Sequence, residues 1–230
     1  KMLDQIEQLM EAVKTEEQNV RRYELRALSA QINPHFLYNT LDTIVWMAEF
    51  NDSKRVVEVT KSLAQYFRLA LNQGHEQISL RDEIDHVRQY LFIQKQRYGD
   101  KLQYEIEEDE SIADYKLPKL VLQPLVENAI YHGIDRMVDQ GFITIRIFPD
   151  GEDIVFQVED NGIGMTEEQC SQFLKQEGSD RQGLGGIGIK NVNDRIKIYF
   201  GEKYGISIES ELDEGTCVTI RMPKVKGDEV

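Results

Sequence analysis

Asp160 closes an alternating stretch and opens the run Asp160-Asn161-Gly162-Ile163-Gly164. A carboxylate only accepts hydrogen bonds, which suits the exocyclic amino group of adenine and repels the oxygen of guanine. The glycines let backbone approach a flat ligand closely. Asp-Asn-Gly is also plain turn chemistry at the end of a strand. A second run, Gly183-Leu184-Gly185-Gly186-Ile187-Gly188-Ile189-Lys190-Asn191, leads straight into a helical pattern. Clustered glycines free N–H groups to face an anion, and a helix start adds a favourable dipole. It is neither a Walker A loop nor a dinucleotide fingerprint, because no βαβ unit precedes it and the spacing differs. A flexible connection reads the same way.

The third run, PKLVLQPLVENAIYHG over Pro118–Gly133, places Glu127 and Asn128 inside an otherwise apolar helical pattern. Burying an unpaired amide is costly, so Asn128 either serves a neighbouring strand or offers its oxygen to a hard cation such as Mg²⁺. His132, one turn on, shares its face and either meets phosphate oxygens or caps the helix. Upstream lies Ala30-Gln31-Ile32-Asn33-Pro34-His35-Phe36-Leu37-Tyr38-Asn39-Thr40-Leu41. A proline inside a helix loses one N–H and clashes with the carbonyl four residues back, at about 3 kcal/mol. The kink would expose His35, whose imidazole, with an ordinary pKa near ~6.5, is mostly neutral and nucleophilic at neutral pH. Asn-Pro-His can equally just end a helix. His75 and His86 have no comparable context and read as surface residues.

The elements that must position these groups fall into two textures. Residues 1–74 hold one proline, one glycine and no strand alternation. Leu3, Ile6, Met10 and Val13 sit at coiled-coil spacing, the phase slips at Glu17, and the seam resumes at Leu25, Leu28 and Ile32. A second helix is expected from Ser53, capped by Asn51-Asp52-Ser53, to about Leu71. Two such helices form a hairpin too thin to bury both faces, so dimerisation into a four-helix bundle is expected. A third helix is predicted over 79–98 with Ser79 as cap, ended by Gly99-Asp100. Beyond it the pattern mixes strands (Leu102–Ile106, Phe142–Phe148, Ile154–Glu159, Ile206–Ser210, Thr216–Met222) with helices over 118–132 and from the glycine run to about Phe200. The acidic EEDE stretch reads as a solvated turn. The fold class is α+β, with an antiparallel-rich sheet and helices on one face. The domains are expected at 1–76 and 77–230.

A net charge of −14 argues against nucleic acid or anionic membrane as partner. Cys170 and Cys217 have neither metal-ligand spacing nor a disulfide framework. No apolar run reaches the ~18–20 residues that span a bilayer, and the charged, helical start is no signal peptide. A chain that opens inside an amphipathic helix without Met reads as cut from a longer one.

In this order, the Asn helix, the DxGxG turn, the glycine run entering a helix and Gly215-Thr216 on the last hairpin resemble the motif boxes of the GHKL ATP-binding superfamily, over about 100–223. The resemblance implies a Bergerat-type α/β sandwich with a lid over Met165–Gly185. Asp160 would recognise adenine, Asn128 would ligate Mg²⁺, and His132 would lie near the phosphates. Gly162, Gly164, Gly183, Gly185, Gly186 and Gly188 would shape the pocket, and Thr216 would support the adenine end. The His35 segment, LQPLVENAIYHG and GIGIKNVNDRI are similar to LytS/YesM-type sensor histidine kinases over about 25–223. That resemblance implies a homodimeric enzyme that uses ATP and Mg²⁺ to phosphorylate His35, then passes the phosphoryl group to an aspartate of a response regulator. It implies the cytoplasmic portion of a membrane-anchored receptor whose transmembrane sensor lies upstream.

Two departures qualify the match. Many histidine kinases follow the phosphoacceptor with an acidic base, whereas Phe36 stands here, leaving water, Glu127 or no base at all. ATP-hydrolysing relatives often carry a Glu one turn before the Mg²⁺-binding Asn, and here that position is Pro124. The competing readings are a GHKL ATPase and a nucleotide-binding scaffold without kinase activity. Asn39, four residues after His35, is assigned a water-orienting role in dephosphorylating the regulator.

Overall fold

The structure is a computed structural model describing residues 34–70, 77–173 and 186–226. The coiled-coil seam, the carbonyl against which Pro34 would kink, His75, Gly183 and Gly185 lie outside the described residues.

Two helices, α1 (Pro34–Glu49) and α2 (Ser53–Ala70), form the hairpin. Their turn is made by Asn51, at φ 58°, a left-handed position that a short amide tolerates. The amides of Asn51 and Asp52 close onto the carbonyls of Ala48 and Met47. Asp52 then caps α2 by accepting from the Arg55 amide at 3.2 Å, satisfying an otherwise orphaned donor. α2 buries Val59, Leu63, Tyr66 and Ala70, the spacing of one helical stripe.

After strand β1 (Gln77–Ser79), helix α3 (Leu80–Tyr98) starts on Ser79, whose hydroxyl accepts from the Asp82 amide. It ends at Gly99, φ 59°, as the sequence predicts. β2 (Leu102–Glu108), β3 (Lys116–Pro118), α4 (Gln123–Asn128), β4 (Gly141–Asp150), β5 (Asp153–Asp160), α5 (Glu167–Phe173), α6 (Gly186–Phe200), β6 (Gly205–Glu211) and β7 (Gly215–Pro223) follow. The main sheet runs β2-β4-β5-β7-β6. Its β2–β4 pair is parallel and the rest antiparallel. Ile143, Ile145 and Ile147 of β4, with Phe156, Val158, Val218 and Ile220, point to one face and meet Ile84 and Leu91 of α3, Leu125 and Val126 of α4, and Ile189 and Ile196 of α6 in one core. This is an α+β architecture, a helical N-terminal region followed by an α/β sandwich.

Three expectations need correction, and one strand pair has no sequence counterpart. The helix predicted over 118–132 is split. Lys116–Pro118 instead pairs with β1 as a small antiparallel sheet, α4 is short, and Ala129–Ile134 is a π turn in which the Asp135 amide reaches back to the Ile130 carbonyl at 2.7 Å. The EEDE turn is partly strand, since Glu107 and Glu108 extend β2, while Asp109 caps a 3₁₀ turn. The strand pair β1–β3 escapes a pattern reading because three residues show no alternation. His86 is not on the surface. It is 1% exposed and stacked on Tyr66 with ring centroids 4.5 Å apart, and burial lowers its pKa to about 4. It is therefore neutral at physiological pH and packs as an aromatic.

The split of the 118–132 segment has an identifiable cause. Leu120 takes φ 58°, which is costly for a branched side chain, and the Glu83 carboxylate of α3 accepts from the amides of Leu120 at 2.9 Å and Leu122 at 2.8 Å. Arg195 of α6 donates to the Leu120 carbonyl at 2.9 Å. Glu83 is fully buried, and burial raises its pKa against the pull of those amides and of Arg195. Glu83→Ala leaves two buried donors unsatisfied at about 1–3 kcal/mol each, so it should cost about 3 kcal/mol in urea unfolding. Glu83→Gln, which keeps one acceptor, should cost less. A loss under about 1 kcal/mol for the alanine variant would show that the loop does not depend on this carboxylate.

Candidate functional site

β5 delivers Asp160 to the end of the sheet, where it is 6% exposed. Its carboxylate accepts from the Gly162 amide at 2.9 Å and from the Thr216 amide. Burial nevertheless dominates and raises its pKa to about 7, with Glu159 adding to the rise. Two glycines make this burial possible. A Cβ on Gly133 would lie 2.6 Å from the Asp160 carboxylate, and one on Gly162 would lie 2.4 Å from the Gly133 Cα. Gly164, at φ 63°, and Gly215, at φ 126°, complete the corner, with the backbone of Glu211 and Asp160 where their side chains would stand.

The turn after Gly164 is tied to the last hairpin through Ser210. Its hydroxyl accepts from the Met165 amide, donates to the Gly215 carbonyl and sits 2.8 Å from the Thr216 hydroxyl. Asn161 points the other way and secures the start of β4, accepting from the Phe142 amide at 2.6 Å. It stabilises the corner without facing the pocket.

Asn128 ends α4 and is 9% exposed, yet its Oδ1 has no hydrogen-bond partner among the described residues. The neighbouring-strand alternative for this amide oxygen is therefore not what the structure shows. A buried, unpaired, hard oxygen in a polar corner is a fit for a Mg²⁺ ligand. His132 is half-buried, and its Nδ1 also lacks a partner there. Burial and the Arg136 charge lower its pKa, so it is neutral at pH 7. α6 begins at Gly186, and a Cβ on Gly188 would meet Pro124 of α4 at an ordinary 3.4 Å. Protein packing alone does not demand glycine there. Among the described residues no His, Cys, Asp and Glu cluster could by itself hold a metal ion.

His35 lies apart from that corner, exposed on α1. The Asn39 amide nitrogen is 3.2 Å from its Nδ1 and 3.1 Å from its Nε2, committing to neither. Phe36, in the position of the missing acid, is 2% exposed and wedged against Tyr66 and Tyr90 with centroids 4.9 and 5.0 Å away. The His35 ring stands 6.1 Å from that of Tyr131. Gln123, on α4, donates to the Tyr66 hydroxyl at 2.7 Å and to Glu127 at 2.8 Å. Thus α4 and its π turn show Gln123, Glu127 and Tyr131 to the hairpin. Asn128 and His132 are each one residue further round. Gln123, Tyr131, Tyr66 and Ser210 belong to no local motif in the sequence; the one available signal is the spacing of 123, 127 and 131, which marks a shared helical face.

The description "Histidine kinase" belongs to the family model that matches residues 23–102, and "Histidine kinase-, DNA gyrase B-, and HSP90-like ATPase" to the one that matches 113–226. The chain belongs to the histidine kinase family. Sensor histidine kinase YesM of Bacillus subtilis is 36% identical over 222 residues, 96% of this chain and 37% of that protein. Sensor histidine kinase BtsS of Escherichia coli is 35% identical over 200 residues, 87% of this chain and 33% of that protein. The chain thus spans about a third of the length of these relatives. In fold it is similar to the catalytic domain of histidine kinase ThkA, with a TM-score of 0.50 at 16% identity, covering 65% of this chain and 97% of that one.

The raised pKa of Asp160 has a consequence for stability. Its folded value, about 7, exceeds the unfolded value near ~3.9, so the folded state binds more protons between the two. Stability from this group is fully present below about pH 4, is lost as pH rises toward 7 and levels off above it. Asp160→Asn removes the ionisation. In urea titrations the variant should gain on the parent chain between pH 5 and 7 and no further above that. Parallel curves would show that the carboxylate is not buried as described.

Proposed function

We propose that this chain is the catalytic and phosphoacceptor portion of a sensor histidine kinase of a two-component system, phosphorylating its own His35 from Mg-ATP. The observation that carries the reading is the placement of an exposed His35 against Tyr131, on the same helical segment as Asn128, whose Oδ1 has no partner among the described residues. Residues 1–76 would form the dimerising, phosphoacceptor unit and 77–230 the ATP-binding unit. Asp160, ionised, would accept from the adenine amino group, with Thr216 beside it. Gly162 and Gly164 would let the backbone close up around Asp160 beside the base, and Gly183, Gly185, Gly186 and Gly188 would present backbone N–H groups to the phosphates at the start of α6.

Asn128 Oδ1 would hold Mg²⁺, which when bound offsets negative charge on the phosphates. Neutral His132 would lie beside the phosphates without adding charge. A lone pair of a His35 ring nitrogen would attack the γ-phosphorus. The new N–P bond forms as the P–O bond to departing ADP breaks, and the proton on the other ring nitrogen leaves to water or to Glu127. Glu127 faces the hairpin side of α4, which favours it over residues of the nucleotide corner as that acceptor. A loose phosphoryl-transfer transition state asks little of a base, in keeping with Phe36 at the position after His35.

Tyr38, Leu41, Val45 and Trp46 leave an apolar stripe of α1 exposed, at 67, 44, 56 and 59%. A single hairpin cannot cover it, which supports a homodimer through a four-helix bundle. Transfer onward to an aspartate of a cognate response regulator, and control by an upstream transmembrane sensor that leaves this portion in the cytoplasm, complete the proposal. No helix among the described residues is long and apolar enough to cross a membrane.

Incubation with ATP labelled on the γ-phosphate and Mg²⁺ tests it. The parent chain should acquire label that survives alkali and is lost in acid, and His35→Ala should acquire none. Nucleotide binding with free phosphate release and no protein label would replace the proposal with an ATPase. Asn39→Ala should label as the parent does but slow the loss of phosphate from a phosphorylated regulator. Unchanged loss would remove Asn39 from that step.

A further inference from the structure

Which subunit's ATP reaches which histidine is decided by how the acceptor helix sits on the nucleotide-binding half. The proposed kinase reading underlies the question. In this chain the two are already joined. The His35 ring is 6.1 Å from Tyr131, one turn beyond Glu127 and Asn128. Next to His35, Phe36 is buried between Tyr66 of α2 and Tyr90 of α3, so the acceptor turn is anchored at its neighbouring residue. Gln123 carries one amide nitrogen to both the Tyr66 hydroxyl and Glu127, and Gln94 of α3 does the same for Tyr90 at 2.8 Å and Tyr131 at 3.3 Å. Tyr66, Tyr90, Gln94 and Gln123 are all buried, so these are not passing surface contacts.

We propose that the phosphoryl group passes within one subunit, from the nucleotide corner to the His35 of the same chain, and that this aromatic and amide junction is its docking surface. Two features argue for it. The acceptor turn is packed and hydrogen-bonded onto its own nucleotide-binding half, and transfer to a partner's histidine would require taking that buried junction apart. Neighbouring residues of the α4 segment serve its two sides, with Glu127 and Tyr131 toward His35, and Asn128 and His132 one position on, so one helical segment carries both the acceptor side and the nucleotide side.

The experiment uses one heterodimer, co-expressed and purified through two different tags, in which a parent chain is joined to an Asn128→Ala chain of distinguishable size. Only the parent chain then has an intact nucleotide site, while both carry His35. Transfer within the subunit puts the γ-phosphate label on the parent chain alone. Label on the Asn128→Ala chain, alone or in equal share, overturns the proposal. So does absence of label on both chains when the parent homodimer labels normally, because a chain acting on itself needs no competent partner. Asp160→Asn in place of Asn128→Ala gives the same pattern if the first variant folds poorly. A parent homodimer that takes no label, or whose label does not depend on His35, counts against the kinase reading itself and is told apart by that control.

Discussion

One buried carboxylate sets the geometry on which the rest depends. Glu83 cannot be left charged in a core without partners, and the amides of Leu120 and Leu122 supply them. Accepting those bonds bends the chain through the left-handed Leu120 and delays helix formation until Gln123. Because the helix starts late, its residues meet the sheet and the hairpin at a fixed rotation. Arg195 completes the arrangement from α6, so the first helix of the nucleotide-binding half, the loop before Asn128 and the helix after the glycine run share one polar anchor. Disturbing any one of them moves the others.

The second constraint is the cost of keeping Asp160 where it is. A carboxylate whose pKa stands at about 7 is held by burial against its preference for charge. Two backbone amides face it among the described residues, which is too little to restore an ordinary value. Gly133 and Gly162 close over the carboxylate so tightly that neither tolerates a side chain. Such an arrangement lowers stability, and a ligand donor that shares the carboxylate would recover the loss. The unpartnered oxygen of Asn128 follows the same logic, as a polar atom buried at a cost that a hard cation would offset.

How far this was legible in the sequence depends on which force wrote each feature. Local chemistry was readable: Ser79 caps α3, Gly99 ends it and Asp52 caps α2, because a cap involves residues only a few positions apart. The glycines around Asp160 followed from motif order, and His35 is exposed, as the expected Pro34 kink would make it, although the carbonyl that kink displaces lies outside the described residues. Features made by distant residues were not readable. Nothing near His86 announces that Tyr66, some twenty residues earlier in sequence, will stack on it. Nothing in PKLVLQ shows that Glu83 will claim its amides, so the apolar run looked like one continuous helix. The face formed by Gln123, Glu127 and Tyr131 lay between, visible as spacing but without meaning until Tyr66 and His35 were placed opposite it.

That face explains why the Asn128 segment tolerates so little freedom. Successive residues of an α-helix are about 100° apart, so Glu127 and Asn128 necessarily look in different directions, as do Tyr131 and His132. A straight helix would carry both pairs but would place position 133 according to its regular pitch. The π turn over Ala129–Ile134 adds a residue to the turn and brings Gly133 against the Asp160 carboxylate while Tyr131 stays beside His35. A π turn is a poor structure by its own hydrogen bonding and recurs mainly where function places it. Six residues, Asn128–Gly133, thereby meet three separate demands: Tyr131 against the hairpin, a buried amide oxygen at Asn128 and a glycine packed on the Asp160 carboxylate. An insertion or deletion of one residue anywhere in α4 would satisfy at most one of them.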